Sequence, residues 1–156
     1  AKALIDQGAD IITQHTDSPA PLQVAENRGV KGFGQASDMI KFAPKAQLSA
    51  IVNNWGAYYV ERTKAMMNGS WKSQDVWYGL KEGMVEMAPY TNMPSDAAAL
   101  AKKTEEAIRS GDLHPFTGPI KDQSGKLVVE AGKIADAGML LGMNFYVEGV
   151  QGSLPK

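Results

Sequence analysis

The stretch Ile11-Ile12-Thr13-Gln14-His15-Thr16-Asp17-Ser18-Pro19-Ala20-Pro21 decides how this chain folds. An apolar pair gives way to a run of polar side chains, and two prolines then open a helical segment. That is how a buried parallel strand ends, with polar groups at its carboxyl tip and a helix carrying the chain back. In open α/β sheets, ligands sit outside those tips, where loops and helix N-termini converge.

Upstream of it, Ala1 to Gly8 reads as the last turn of a helix stopped by Gly8, with no capping residue before it. This predicts that the chain is part of something longer. Residues 9–14 read as the first strand, and Ser18 as an N-cap with Pro19 at the first helical position. Asn27-Arg28-Gly29 ends that helix, and residues 30–33 form a second strand leading into Gly34-Gln35-Ala36-Ser37-Asp38-Met39. A third strand over 48–52 ends in Asn53-Asn54-Trp55-Gly56. A helix over 57–67 follows, with Tyr59, Val60, Thr63, Met66 and Met67 at the helical period. Residues 76–80 are expected to form a fourth strand running into Lys81. Residues 95–110 carry the clearest amphipathic helix, with Leu100, Ala101, Thr104, Ala107 and Ile108 on one face. Helix and strand alternating at this pitch predict an α/β fold with a parallel sheet.

Beyond Gly111 the pattern changes. Asp122-Gln123-Ser124-Gly125 between two apolar runs predicts a β-hairpin, and the tail over 136–156 is too apolar to lie free. With 156 residues, 44% of them hydrophobic, the chain can bury one core or two small lobes. A net charge of −1 gives no electrostatic case for nucleic acid. Without cysteine there is no disulfide framework, thiolate metal site or thiol nucleophile. No segment approaches the roughly 20 apolar residues of a membrane span, and no secretory leader is visible. An incomplete α/β layer should leave apolar surface to be covered by a missing part or by self-association.

His15, Asp17 and Ser18 are acyl-transfer residue types, but three near neighbours on one loop do not form a triad, and no nucleophile elbow exists. His15 and His114 lack metal-ligand spacing, so no metal is expected. The remaining polar groups each have a simpler reading. Thr16, Asp17 and Ser18 can be helix caps, Asp38 can close an Asx turn, Asn54 and Trp55 can pack, and Lys81 can reach to water. What favours a ligand is their coincidence at four successive strand ends. No phosphate-cradling glycine pattern follows Gly32-Phe33-Gly34, which points to reversible binding without a cofactor.

Gly8-Ala9-Asp10-Ile11-Ile12, Gln14 to Pro19, Ser37-Asp38-Met39, Asn54-Trp55-Gly56, Gly79 to Val85, Ala88-Pro89 and His114 to Ile120 together resemble the basic membrane protein family. So does the close at Gly142-Met143-Asn144 and Tyr146 to Val150. These are substrate-binding components of ABC importers related to purine nucleoside receptor A. The resemblance implies a type I periplasmic-binding-protein fold, of which residues 1–156 would be most of the C-terminal lobe. Residues 50–78 would cross to the otherwise missing N-terminal lobe and return. It implies a purine base or nucleoside as ligand, a membrane permease as partner, and a periplasmic or lipid-anchored location. It implies no catalysis. Asp38 matches the second Asp of the family's Asp-Ser-Asp loop, and Lys81 the lysine of Gly-Leu-Lys-Asp-Gly, with Glu82 replacing that Asp. Ala36 stands where relatives often carry the first Asp, which removes one acceptor for a ribose hydroxyl. The expected ligand-binding residues are Thr16, Asp17, Asp38, Asn54, Trp55 and Lys81. The rival expectation on the same fold is the effector domain of a transcription regulator.

Overall fold

The computed structural model describes residues 1–154, which divide into two compact units, Ala1–Ser110 and a second from Gly111 onward. In the first unit a short helix α1 (Lys2–Asp6) ends before Gly8, whose φ of 99° is the left-handed stop expected there. Strand β1 (Ile11–Ile12) leads through the Thr13–Ser18 loop to helix α2 (Ala20–Arg28). The helix starts after Pro19, one residue later than predicted, and the Ser18 hydroxyl still accepts the Ala20 N–H at 3.3 Å. Strands β2 (Lys31–Ala36) and β3 (Gln47–Asn53) follow, then helix α3 (Gly56–Met67), strand β4 (Val85–Met87) and helix α4 (Ser95–Ser110).

The sheet order is β1-β2-β3-β4. The first three strands are parallel, as the βαβ pattern requires, with Ile11 opposite Lys31 and Phe33 opposite Ser49. The fourth strand departs from expectation. Residues 76–80 form no strand, and the strand lies at Val85–Met87, antiparallel to β3, with Asn53 opposite Val85 and Ile51 opposite Met87. An antiparallel neighbour starts where its partner ends. The turn before β4, which carries Lys81, therefore comes to the carboxyl tip of β3 from the opposite direction.

The core lies under α2. Leu22, Ala25, Met39, Ala43 and Ala46 form a buried cluster against which Val30 packs. Burying a leucine contributes about 1.5–3 kcal/mol, and the other buried members of this cluster, Met39 apart, are alanines. Glu26 ties the helix to the turn before β3, its carboxylate accepting the N–H groups of Lys45 at 2.9 Å and Ala46 at 2.7 Å. Residues 47–50 of β3 are buried, whereas Ile51 is 41% exposed. The segment after β4 stays beside β3: Ser49 donates its hydroxyl to the Ala88 carbonyl at 2.7 Å, and Thr91 and Asn92 both donate to the Gln47 carbonyl at 2.8 Å.

Helix α4 matches its predicted span, and its Glu105 joins Arg109, one turn on, at 2.8 Å. Tyr90 also donates to Glu105, at 3.2 Å. Burial, then the Glu105 charge and the hydrogen bond to it, push the Tyr90 phenol up to about 12. The phenol is thus held protonated, and the stability it contributes is complete below its ordinary value near 10 and is lost as pH rises through about 12. A spectrophotometric titration should show a phenol that ionises only near pH 12. Glu105→Gln should bring that step down, and an unmoved step would contradict the assignment.

In the second unit, β5 (Ile120–Lys121) and β6 (Leu127–Val129) form the expected hairpin. Its turn is organised by Asp122, which accepts from the Ser124 N–H and hydroxyl and the Lys126 N–H. These bonds, the Ser124 hydroxyl first, hold the Asp122 carboxyl below its usual value. Helix α5 (Ala137–Leu141) is capped by Asp136, which accepts the Met139 N–H at 2.8 Å. The apolar tail does not lie free. Val147 bridges Asp122, and the Gln123 side chain donates to the carbonyls of Val150 and Gly152. The last two positions of that tail, Pro155 and Lys156, lie outside the described residues.

Candidate ligand-binding site

Three loops leave the carboxyl ends of the parallel strands, and the β4 turn joins them. After β1, Thr16 is used locally: its hydroxyl accepts the Ser18 N–H at 3.3 Å and lies 3.4 Å from the Gln14 side-chain oxygen. Asp17 and His15 are exposed. The Gln14 amide reaches the Met39 sulfur at 3.5 Å, which joins the first loop to the second.

After β2 the chain reverses at Ala36, whose φ of 66° is a left-handed conformation that an alanine seldom adopts. Residues 37–39 fold back over Gly34, where an added Cβ would lie 3.3 Å from the Ser37 carbonyl oxygen and 2.8 Å from the Ala50 methyl. Met39 is thereby buried and Asp38 exposed. Asp38 Oδ1 accepts from the Ile40 N–H at 3.0 Å and from the Gln47 amide at 2.7 Å. The Asx-turn reading of Asp38 and its display at the edge therefore hold together.

After β3, Asn54 binds the β4 turn. Its N–H donates to the Met84 carbonyl at 2.7 Å, and its side chain donates to the Gly83 carbonyl at 3.2 Å and the Glu86 carboxylate at 2.9 Å. Trp55 stacks on Tyr59, with ring centroids 5.7 Å apart and planes 23° apart, and is 46% exposed. Tyr58 meets Trp55, Tyr59 and Tyr78 edge-on, and the Arg62 guanidinium lies over its ring at 5.4 Å. Lys81 is exposed in the turn.

The edge brings these loops together without enclosing them. A cavity of about 70 Å³ is lined by Asn54, Tyr58, Glu61, Tyr78 and Glu82, far below the roughly 300 Å³ at which ligand pockets begin. A broader groove of about 490 Å³ between the β4 end and α4, lined by Met87, Pro89, Tyr90, Lys102 and Glu105, contains none of the expected ligand residues. The sequence reading missed Gln47 as the partner of Asp38, and Tyr78 as the ring that meets Tyr58 behind Trp55. A polar residue heading the apolar run 48–52 was the available signal for Gln47, since a buried amide needs partners. Among the described residues no group of His, Asp and Glu could hold a metal ion, and no helix is long and apolar enough to cross a membrane.

A parallel-dominated α/β unit with polar loops at one sheet edge is the architecture of a lobe of a periplasmic-type binding protein. Solved structures share it. A transcriptional activator of the comK gene from Bacillus halodurans superposes with a TM-score of 0.63 at 15% identity, covering 73% of this chain and 41% of that one. An ABC transporter solute-binding protein from Conexibacter woesei gives 0.54 at 18% identity, covering 72% and 39%. At these identities the likeness concerns the fold, which serves both regulators and transporters.

The family itself is read from sequence. The family model for ABC transporter substrate-binding proteins of the PnrA-like kind, the basic membrane protein family, matches residues 1–115, and the chain belongs to that family. A purine-binding protein of Brucella abortus is 64% identical over 156 residues, which are all of this chain and 45% of that protein. A putative ABC transporter glucose-binding protein of Haloferax volcanii is 28% identical over 99% of this chain and 37% of its own length. The chain thus spans less than half the length of these curated relatives.

Proposed function

We propose that this chain forms one wall of the ligand cleft of an ABC-importer substrate-binding protein whose ligand is a purine, reversibly bound and passed to a membrane permease. The working location is the periplasm or the outer face of the plasma membrane, and no bond is made or broken. The observation that carries the reading is the convergence of the Thr16–Asp17 loop, Asp38, Asn54–Trp55 and the Lys81 turn on one sheet edge, in a chain of this family. Trp55, with one face against Tyr59, offers the other to a planar ring. Asp17 and Asp38 accept ligand hydrogen bonds, Thr16 and Asn54 add polar contacts, and Lys81 supplies a donor.

The rest of the cleft belongs to the remainder of a longer protein, and residues 50–78 are the part of this chain that meets it. None of the twelve residues of α3 is buried, and Tyr59, Val60, Met66, Met67, Trp71 and Trp77 all expose apolar surface. A helix of that length is marginal in water without a packed face. Closure of the two walls on the ligand is the hinge motion that a permease reads.

The test is calorimetry on the full-length protein with purine bases, their nucleosides and glucose, together with mass spectrometry of co-purified ligand. Purine binding should weaken about tenfold or more in Trp55→Ala, the range of one lost stacking contact. The 156-residue chain alone should bind more weakly than micromolar, because half a cleft must bear the whole cost of association. Glucose binding without purine binding would overturn the proposal.

A further inference from the structure

The turn that carries Lys81 is fastened from two directions. From the sheet, Asn54 holds its far end through the carbonyls of Gly83 and Met84. From α4, the Arg109 guanidinium donates to the Leu80 carbonyl at 3.1 Å. That carbonyl also accepts the Gly83 N–H at 3.2 Å, the bond that closes the turn, so Arg109 grips the residue just before Lys81. The guanidinium is itself aimed. Its other terminal nitrogen donates to Glu105 Oε1 at 2.8 Å, and Glu105 Oε2 accepts the Tyr90 hydroxyl at 3.2 Å. A planar fork of N–H donors can meet a carboxylate and a carbonyl at once. As an ion pair alone the arrangement contributes little: the Arg109 side chain is 40% exposed, and such pairs one helical turn apart give about 0.3–0.5 kcal/mol. Meanwhile Lys81 is left unengaged. Glu82, the carboxylate beside it, accepts the Gly79 N–H at 2.8 Å, and no ion pair among the described residues includes the Lys81 ammonium.

We infer that Arg109, oriented by Glu105 and Tyr90, is a positioning residue that fixes the Lys81 turn to α4 and so presents the Lys81 ammonium to the ligand. The inference rests on the functional reading above, in which Lys81 supplies a donor. A lysine ends in a point charge on a flexible four-carbon stem, so the backbone beneath it limits where the ammonium can go. The chain entering the turn gives no such support, since residues 70–79 form no helix or strand. Asn54 secures only the side from which the chain leaves for β4. The Leu80 carbonyl is the anchor on the entering side, and Arg109 is the side chain that holds it. A donor whose backbone is already placed costs the ligand less ordering on binding.

The experiment uses the full-length protein, with adenine and guanine as probes, measured by calorimetry. Lys81→Ala should weaken purine binding about tenfold or more, the range of one hydrogen bond from a charged donor. Arg109→Met keeps the apolar stem, removes both guanidinium bonds, and should weaken binding about threefold or more. Because Arg109 acts through Lys81, the double variant should bind no more weakly than Lys81→Ala alone. Losses that multiply would show a merely structural role and overturn the inference. Arg109→Lys keeps a cation beside Glu105 but loses the fork that also reaches Leu80. It should keep the urea midpoint of the unchanged protein and still bind as weakly as Arg109→Met. Full affinity in Arg109→Lys overturns the inference, and this arm decides alone if Arg109→Met does not fold. Binding weakened in Trp55→Ala but untouched in Lys81→Ala and Arg109→Met overturns the inference while leaving the purine reading intact. No binding of either probe by the unchanged protein overturns both.

Discussion

Leu22→Ala should remove about 2–5 kcal/mol of folding free energy, the range for deleting a fully buried leucine side chain. The upper part of that range applies because of what surrounds it. Leu22 is wholly buried, and Ala25, Ala43 and Ala46 have no atoms to swing into the space left behind. On the sheet side the neighbour is Gly32, where an added Cβ would lie only 2.7 Å from Leu22 Cδ2, so the leucine fills the gap that the glycine leaves. A cavity lined this way stays open. Urea unfolding gives the measurement, with Leu100→Ala as reference, since Leu100 is 67% exposed on α4 and its truncation should stay within about 0.5 kcal/mol. Equal midpoint shifts for the two variants would show that the core does not sit under α2. The loss should also reach the ligand edge, because Met39 packs in the same cluster and its neighbour Asp38 takes its position from that burial.

The second large effect belongs to the other unit. A Cβ at Gly118 would stand 2.1 Å from the Glu130 carbonyl oxygen and 2.6 Å from that of Val129. Both are backbone atoms, which no rotamer change can move aside. Overpacking usually costs about 1–3 kcal/mol, and Gly118→Ala should reach the top of that range or pass it. Gly118 also donates its N–H to the Lys133 carbonyl at 2.7 Å, a bond the displaced chain would lose. Hydrogen exchange read by mass spectrometry should show protection lost across the β5–β6 hairpin and the 130–135 turn. Gly79→Ala is the comparison, a glycine with nothing within 4 Å of the added methyl, where protection should be unchanged. Retained protection in the hairpin of Gly118→Ala would contradict the close approach.

Much of this architecture is legible in the chain because its signals are local. Apolar runs that end in polar tips gave β1, β2 and β3 to within a few residues, Asp122 to Gly125 marked the hairpin, and the apolar period marked α4. The fourth strand failed for a non-local reason. Val76-Trp77-Tyr78 has the stronger β character, while Val85-Glu86-Met87 sits near a proline. Strand preference measures fit to neighbours more than any intrinsic tendency of the chain. Here Ser49 bonds the Ala88 carbonyl and Asn54 bonds the β4 turn, and together they select the later segment. The α4 face was read too broadly, since Ala101, Ala107 and Ile108 are half-buried while Leu100 and Thr104 point outward. At the ligand edge, residue types and strand ends were visible, but the partner of Asp38 lies nine residues on and across a turn, where no periodicity points.

The antiparallel run of β4 has one more consequence. Because Asn54 N–H meets the Met84 carbonyl at 2.7 Å, the chain leaves the sheet and rejoins it at one point. Everything between, α3 included, is a closed excursion of about thirty residues, and closing such a loop costs only about 0.6 kcal/mol more for each doubling of its length. The sheet is therefore nearly indifferent to how long the excursion is or what it carries. Evolution can lengthen, shorten or redecorate this stretch as an independent insert, changing what the edge meets while leaving β1 to β4 in register.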